Sequence, residues 1–414
     1  MSPSPPPPRR TRPGLAWLLA ALLCFLWHPP TARGDESDLL LNPVSRRDLD
    51  RLLNAFEGTS QSQAIESLYG GYRRSVLDQQ ARFRELKKAR AEDPKRAAME
   101  EATRKRDDFA AVYRFVDQVE ALSASFFVDV RSIAGPELSG RVDAAERFSR
   151  RRAGMRLAVC GPERADLVAI ANDLQVTRSR DFDDALSDYE RRLDDLMKRK
   201  LRRVRTLFEE LAEAQVRESP PIAEAIGEVL RKLTAGSLEI RDFNVRQARI
   251  LCDLLPESEQ AAWTRAFNAR SYPRVYGVDL TADAYAKVRS VEGLSTEQLD
   301  AIDRTHERYR SEVTGADARY VAALNLRHDT LARFNVVAWL DEIDKQPGLD
   351  ELKAAAEDRN ALARACVRRM LDALTSEQRA GMKEPASSEE ARAHEDIMPL
   401  GDGDDDRGEW SDGQ

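Results

Sequence analysis

Residues 179–218 contain neither glycine nor proline, and their apolar residues lie on one helical seam. Phe182, Leu186, Tyr189, Leu193 and Leu196 repeat at intervals of four and three, then Met197, Leu201, Val204, Phe208 and Leu211 continue one residue later. A straight helix drifts by ~20° per heptad against such a pattern, so over about four heptads the drift approaches ~100°, the rotation of one residue. The shift therefore predicts a nearly straight helix, about 60 Å long at ~1.5 Å per residue. It packs on a neighbour rather than supercoiling with one. Strand-like alternation is absent from the chain, and nearly everything from Ser37 to Met382 reads as helix. Charged residues at 33% with only 7% aromatics suit helices that bury a narrow stripe and expose the rest.

Breaks in the helical pattern recur at an almost fixed interval. Pro94, Pro220 and Pro347 are spaced by 126 and 127 residues. The turns at Gly135-Pro136, Leu255-Pro256 and Leu374-Thr375 follow at 120 and 119. Tyr72, Tyr189 and His306 are each 117 residues apart, and Ile65/Phe182/Leu299 and Arg74/Arg191/Arg308 align with them. Proline lacks the amide donor and clashes with the preceding turn, so such positions end helices. A fixed period marks tandem architecture. The expectation is an all-α, elongated array of three helical hairpins, over 35–155, 156–275 and 276–383, with short helices at their bases.

The stretch LSTEQ at 294–298 returns as LTSEQ at 374–378. Ser295 at an N-cap can accept from a first-turn amide, and Gln298 three residues on can reach back to the cap's own N–H, forming a capping box. Leu294 before the cap can staple onto Leu299. In the second copy Thr375 is the cap, Gln378 its partner and Leu374 the outer apolar residue; Arg379 weakens the staple. In LLPESEQ, Pro256 is preset for a first helical turn. These six residues, Leu294, Ser295, Gln298, Leu374, Thr375 and Gln378, are read as helix-starting structure, not catalytic machinery.

Paired motifs of this kind around a charged hairpin resemble the Spy/CpxP-like extracytoplasmic proteins. Residues 294–382 look like one such unit, 164–267 like a second with a less regular motif, and 45–148 like a third that lacks the motif's glutamine. The resemblance implies an all-helical protein of an export compartment, linked to envelope stress and often an ATP-independent chaperone. Family members are single-unit dimers, and three units in one chain depart from that pattern. Some relatives bind metals through clustered histidines, a cluster missing here.

The ends of the chain read differently from its body. Arg9, Arg10 and Arg12 precede the apolar run Gly14–Trp27, and Ala32-Arg33-Gly34 offers a small-residue cleavage site. Residues 1–34 are expected to be a signal peptide with the mature start at Asp35, an uncleaved anchor being the alternative. Leu22-Leu23 before Cys24 does not suit a lipid anchor. The product is expected to be exported, soluble in the periplasm or outside the cell, and not membrane-spanning once cleaved. Residues 384–414 carry eleven acids against Arg392 and Arg407, so this tail is more acidic than the whole chain, whose net charge of −7 is offset by the four arginines of residues 1–34, and it is expected to be disordered. Cys160, Cys252 and Cys366 read as small buried residues, with a disulfide between two of them as the alternative.

Motifs for chemistry are sparse. His306-Glu307 and His328-Asp329 lack a second histidine at ligand spacing, and GDGDDDRGE fails as a calcium loop because Arg407 and Gly413 occupy positions that require Gly and Glu. There is no P-loop and no Gly-x-Ser-x-Gly elbow. No metal or cofactor is expected. The basic runs at 149–156 and 198–205 carry few aromatics in a nearly neutral body, so nucleic acid is not the expected partner. They read as helices whose arginine stems flank an apolar seam, a basic client-binding face being the alternative. The expected function is non-catalytic: a binding protein holding unfolded or envelope proteins, with an adaptor for one folded partner as the alternative.

Overall fold

The computed structural model describes residues 44–57, 59–217, 222–277, 279–333 and 348–381. The expected signal peptide with Cys24, the breaks at Pro220 and Pro347, the acidic tail and its calcium-like stretch lie outside them. Among the described residues there are helices and no strands.

One order of elements occurs three times: a short opening helix, a long helix, a long return helix and a closing helix. In the first repeat these are α1 (Arg46–Ala55), α2 (Gln61–Glu92), the one-turn α3 (Pro94–Ala97) and α4 (Glu101–Arg156), whose last part is the closing helix. The second has a 3-10 turn (Gly161–Arg164), α5 (Leu167–Asp173), α6 (Arg180–Arg217), α7 (Ile222–Asp253), α8 (Glu257–Ser271) and α9 (Pro273–Tyr276). The third has α10 (Ala282–Arg289), α11 (Thr296–Arg333), α12 (Leu349–Asp372) and α13 (Ser376–Gly381). By contacts the chain forms two bodies. Among the described residues, those up to Leu157 group with the stretch that begins at Val204, and Ala158–Arg203 groups with the chain from Gly227 onward.

In the first body the local chemistry sets each boundary. Ser45 caps α1 in a full capping box with Asp48: the Ser45 amide donates to Asp48 Oδ2 at 2.8 Å and the Asp48 amide to Ser45 Oγ at 3.3 Å. Asp93 is held extended ahead of Pro94, and its carboxylate accepts from Lys95 N at 2.9 Å, ending α2 and starting α3. Gly135 has φ of 70°, a left-handed conformation that costs glycine little, and Pro136 follows with φ preset for a new helix. The return and closing helices thus run on across a kink. Leu49, Leu52, Phe56 and Ile65 are buried, with Tyr69, Tyr72, Phe126 and Phe127 continuing the same core. Phe83 stacks on Phe115 at 4.6 Å between centroids.

In the second body Asp166 caps α5, accepting from Val168 and Ala169 amides at 3.0 and 3.3 Å. Phe182, Tyr189 and Leu193 are fully buried along α6, as the first half of the seam predicts, and Met197 and Val204 of the second half are buried too. The departure from expectation is at one turn of the second half. Leu201 is only half-buried, and the buried residue at that turn is Lys200. Tyr189 stacks on Phe243 of α7 at 5.7 Å. Trp263 of α8 meets Phe182 edge to face and donates its indole N–H to Ala248 O at 2.9 Å.

The landmark aromatics tie each opening segment to its hairpin. Val44 N–H donates to the Tyr72 hydroxyl at 2.9 Å, and that hydroxyl also bonds Ser123 Oγ at 3.0 Å. Leu167 N–H donates to the Tyr189 hydroxyl at 3.4 Å, which lies 3.2 Å from Asn244 Oδ1. In the third repeat His306 pairs with Asp279 at 3.2 Å and stacks on Tyr285 at 4.0 Å. The inner buried place held by Tyr72 and Tyr189 is taken there by Tyr309, one turn beyond His306.

Candidate functional site

The two motif copies of the third hairpin meet. Ser295 and Thr375 each sit at a helix start. The Ser295 amide donates to Gln298 Oε1, and the Thr375 amide to Gln378 Oε1, both at 2.9 Å. The reciprocal bonds, Gln298 N to Ser295 Oγ and Gln378 N to Thr375 Oγ1, are both 3.2 Å. Each glutamine then uses its side-chain N–H groups on the other copy. Gln298 Nε2 donates to Ala373 O at 2.8 Å and Gln378 Oε1 at 2.9 Å; Gln378 Nε2 donates to Gly293 O at 3.1 Å. The result is a clasp with approximate two-fold symmetry. Leu374 belongs to the small core of Val288, Ile302, Tyr309, Cys366 and Met370, and Leu294 packs against it. Glu297 is held below the usual carboxylate range by its own backbone N–H and the Ser295 hydroxyl.

The second hairpin joins the corresponding places by a one-sided contact. Glu259, at the third position of α8, accepts from Thr177 N at 2.9 Å and Thr177 Oγ1 at 2.6 Å, just ahead of α6. Those two bonds lower the Glu259 pKa. Gln260 turns inward to Leu255 O at 3.0 Å. The first hairpin closes instead through Asp48, which is almost fully buried and receives Ser149 Oγ at 3.2 Å and Arg152 Nη2 at 2.7 Å.

Several side chains of the basic runs are paired within the fold. Arg150 pairs with Glu146 at 2.5 Å and Lys198 with Asp194 at 2.8 Å. Arg205 reaches Asp117 at 2.5 Å and Glu120 at 3.8 Å. Lys200 forms a buried ion pair with Glu163, their side chains 4% and 0% exposed. Glu163 also accepts from Val159 and Cys160 amides at 2.9 and 3.4 Å, so it fastens the 3-10 turn to α6. Nearby, Arg241 pairs with Asp329 at 2.8 Å. His328 is buried, its Nδ1 lacks a hydrogen-bond partner among the described residues, and desolvation, then Arg241 and Arg327, push its pKa down to about 4. Cys160, Cys252 and Cys366 are all free thiols. Burial, then Glu163, drives the Cys160 thiol far up. Among the described residues no cluster of three or more His, Cys, Asp or Glu is arranged to hold a metal.

A concave face lies elsewhere, and no motif announced it. Between α2 and α4 of the first hairpin lies an open cavity of about 490 Å³. Leu68, Leu122, Phe126 and Ile133 supply its apolar wall, Gly71 its low side, and Asp129 a carboxylate. The signal available in the sequence was the run of small residues on α2, Ala64, Ser67, Gly71 and Ser75, all of which line the cavity.

Comparison of the chain with protein-family models, curated proteins and solved structures returns no match.

Proposed function

We propose that the protein is an exported, non-catalytic helical binding protein that holds unfolded or envelope polypeptides without ATP. The observation that carries this reading is the open, largely apolar cavity between two helices, rimmed by serines and one carboxylate. The resemblance of the LSTEQ and LTSEQ pair to Spy/CpxP-like proteins supports the same class. Export rests on the apolar run Gly14–Trp27 behind three arginines; among the described residues no helix is long and apolar enough to cross a membrane. The internal pairing of Lys198, Lys200 and Arg205 speaks against nucleic acid as partner. Confinement of the cavity to one hairpin favours a second reading, an adaptor that recognises one folded partner.

The purified protein, without nucleotide, is mixed with a chemically unfolded client whose aggregation is followed by light scattering. Suppression near stoichiometric ratio is expected. Protein that is helical by circular dichroism yet leaves aggregation unchanged overturns the chaperone reading and leaves the adaptor.

A further inference from the structure

The geometry points to the α2–α4 cavity of the first hairpin as a docking groove for one chemical class of segment: an apolar helix carrying a lysine or arginine beside its apolar face. The inference rests on the reading above and names the client's recognised part.

The three repeats supply an internal comparison. Counting from the inner tyrosine, the positions five before, one before and three after lie on one outer helix face. They are Ser67, Gly71 and Ser75 in the first hairpin, next to Tyr72. They are Asp184, Asp188 and Arg192 around Tyr189, all exposed. Around Tyr309 they are Arg304, Arg308 and Glu312, also exposed, with Arg308 and Glu312 paired at 2.7 Å. On the return helices the Tyr72–Phe126 contact corresponds to Tyr189–Phe243. That register sets Leu122 and Asp129 of the first hairpin against Glu239 and Arg246 of the second. Glu239 there bridges to Arg199 at 3.0 Å, crossing from α7 to α6. At these positions the long helices of the second and third repeats carry charge, as does the second return helix at Glu239 and Arg246, although Ile250 matches Ile133; the first repeat leaves Leu68, Leu122, Phe126 and Ile133 lining a hollow.

Shape and charge fix the occupant. A hollow with a glycine on one helix and leucine, phenylalanine and isoleucine opposite admits a helical segment's side chains close to the α2 backbone. Asp129 is exposed and has no ion-pair partner among the described residues, so it asks for a cation beside the apolar contact. A purely apolar segment leaves that carboxylate partly desolvated, which costs affinity.

Neighbouring glycines allow a clean test. A Cβ added at Gly71 or at Gly70 meets nothing within 4 Å, but only Gly71 lines the cavity. Each substitution to leucine removes one helix-weakening glycine from α2. Binding of a labelled amphipathic peptide of leucine, alanine and one lysine is measured by fluorescence anisotropy. Gly71→Leu is expected to weaken it by about tenfold or more, the effect of excluding roughly one apolar side chain. Gly70→Leu is expected to leave it unchanged, with neither variant less thermally stable than the wild type. Asp129→Lys is expected to reverse the preference between the lysine peptide and its glutamate counterpart. Equal effects of the two glycine variants, or no reversal by Asp129→Lys, overturn the proposal. So does a sedimentation result in which Gly71→Leu dissociates a dimer, since the occupant is then a second copy. If Gly71→Leu abolishes peptide binding while aggregation suppression is intact, clients are held elsewhere and the groove assignment fails alone. If the peptide binds as expected and the wild type suppresses nothing, the groove stands and the chaperone reading fails.

Discussion

Replacing Lys200 with methionine removes one half of an ion pair from which water is excluded. The Glu163 carboxylate, 0% exposed, would keep only the Val159 and Cys160 amides. Breaking a buried pair from one side costs about 3–5 kcal/mol, because a charge is left without its partner. Glu163→Gln is gentler at the turn, since the amide oxygen still accepts from those two N–H groups, but it leaves the buried ammonium without this carboxylate, a loss of roughly 2–4 kcal/mol. The double variant Lys200→Met/Glu163→Gln removes both charges and keeps volume and amide bonds, so its loss should be only about 1–2 kcal/mol. The coupling energy is then on the order of 3 kcal/mol or more. Urea unfolding near neutral pH, followed by far-ultraviolet circular dichroism, measures all four proteins. A single Lys200→Met loss below about 1 kcal/mol, or additivity across the cycle, would mean the pair is solvated and would refute the reasoning.

Three other outcomes are expected. His328 resists protonation in the fold while the unfolded chain accepts a proton near pH ~6.5, so stability should fall as pH drops from about 6.5 to about 4, by on the order of 3 kcal/mol; Arg164, Arg241 and Arg327 oppose the proton and Asp329 favours it, and a His328→Gln protein with the same acid slope excludes the histidine as its source. Gln298→Ala removes a reciprocal cap bond and its side-chain bonds to Ala373 and Gln378 of the other motif copy, so it should cost about 1–3 kcal/mol, and adding Gln378→Ala should cost less than its own single loss because the two side chains bond each other. The Cys160 thiol is buried and pushed far up, and Cys366 is pushed up to about 11 by burial and then Asp279, so an aromatic disulfide reagent should label half-buried Cys252 first and reach Cys160 only in denaturant; prompt labelling of Cys160 in the native protein contradicts its placement.

Much of the helical framework could be read from residue type and spacing. The Pro94 break and the Gly135-Pro136 kink follow from backbone chemistry local to a few residues, as does the Ser295 cap. So does burial of Phe182, Tyr189 and Leu193, which a periodic seam encodes directly. What stayed hidden depends on residues distant in the chain. The run KRKLRRVR looks like a uniform basic face, and only the return of Glu163, 37 residues earlier, explains why Lys200 is inside and Leu201 only half so. The capping role of Gln298 was legible; its bonds to Ala373 and Gln378, 75 and 80 residues on, were not. In the third hairpin His306 keeps the sequence interval, but burial selects Tyr309, because packing against the return helix fixes rotation more tightly than residue count does. The groove was hardest to see, since glycine and serine at its side give no hydrophobic signal and its apolar wall belongs to another helix.

The clasp has a consequence for how such a chain can grow. Gly293–Gln298 and Ala373–Gln378 are fastened to each other, so the start and finish of that hairpin lie side by side. A segment whose entrance and exit adjoin can be copied into a chain without stretching what flanks it. Each copy brings its own fastening, and once its frame is secured from within, its outward face is released from structural duty. A lineage of such cassettes can let one member discard surface charge and hollow out, while its siblings hold the scaffold.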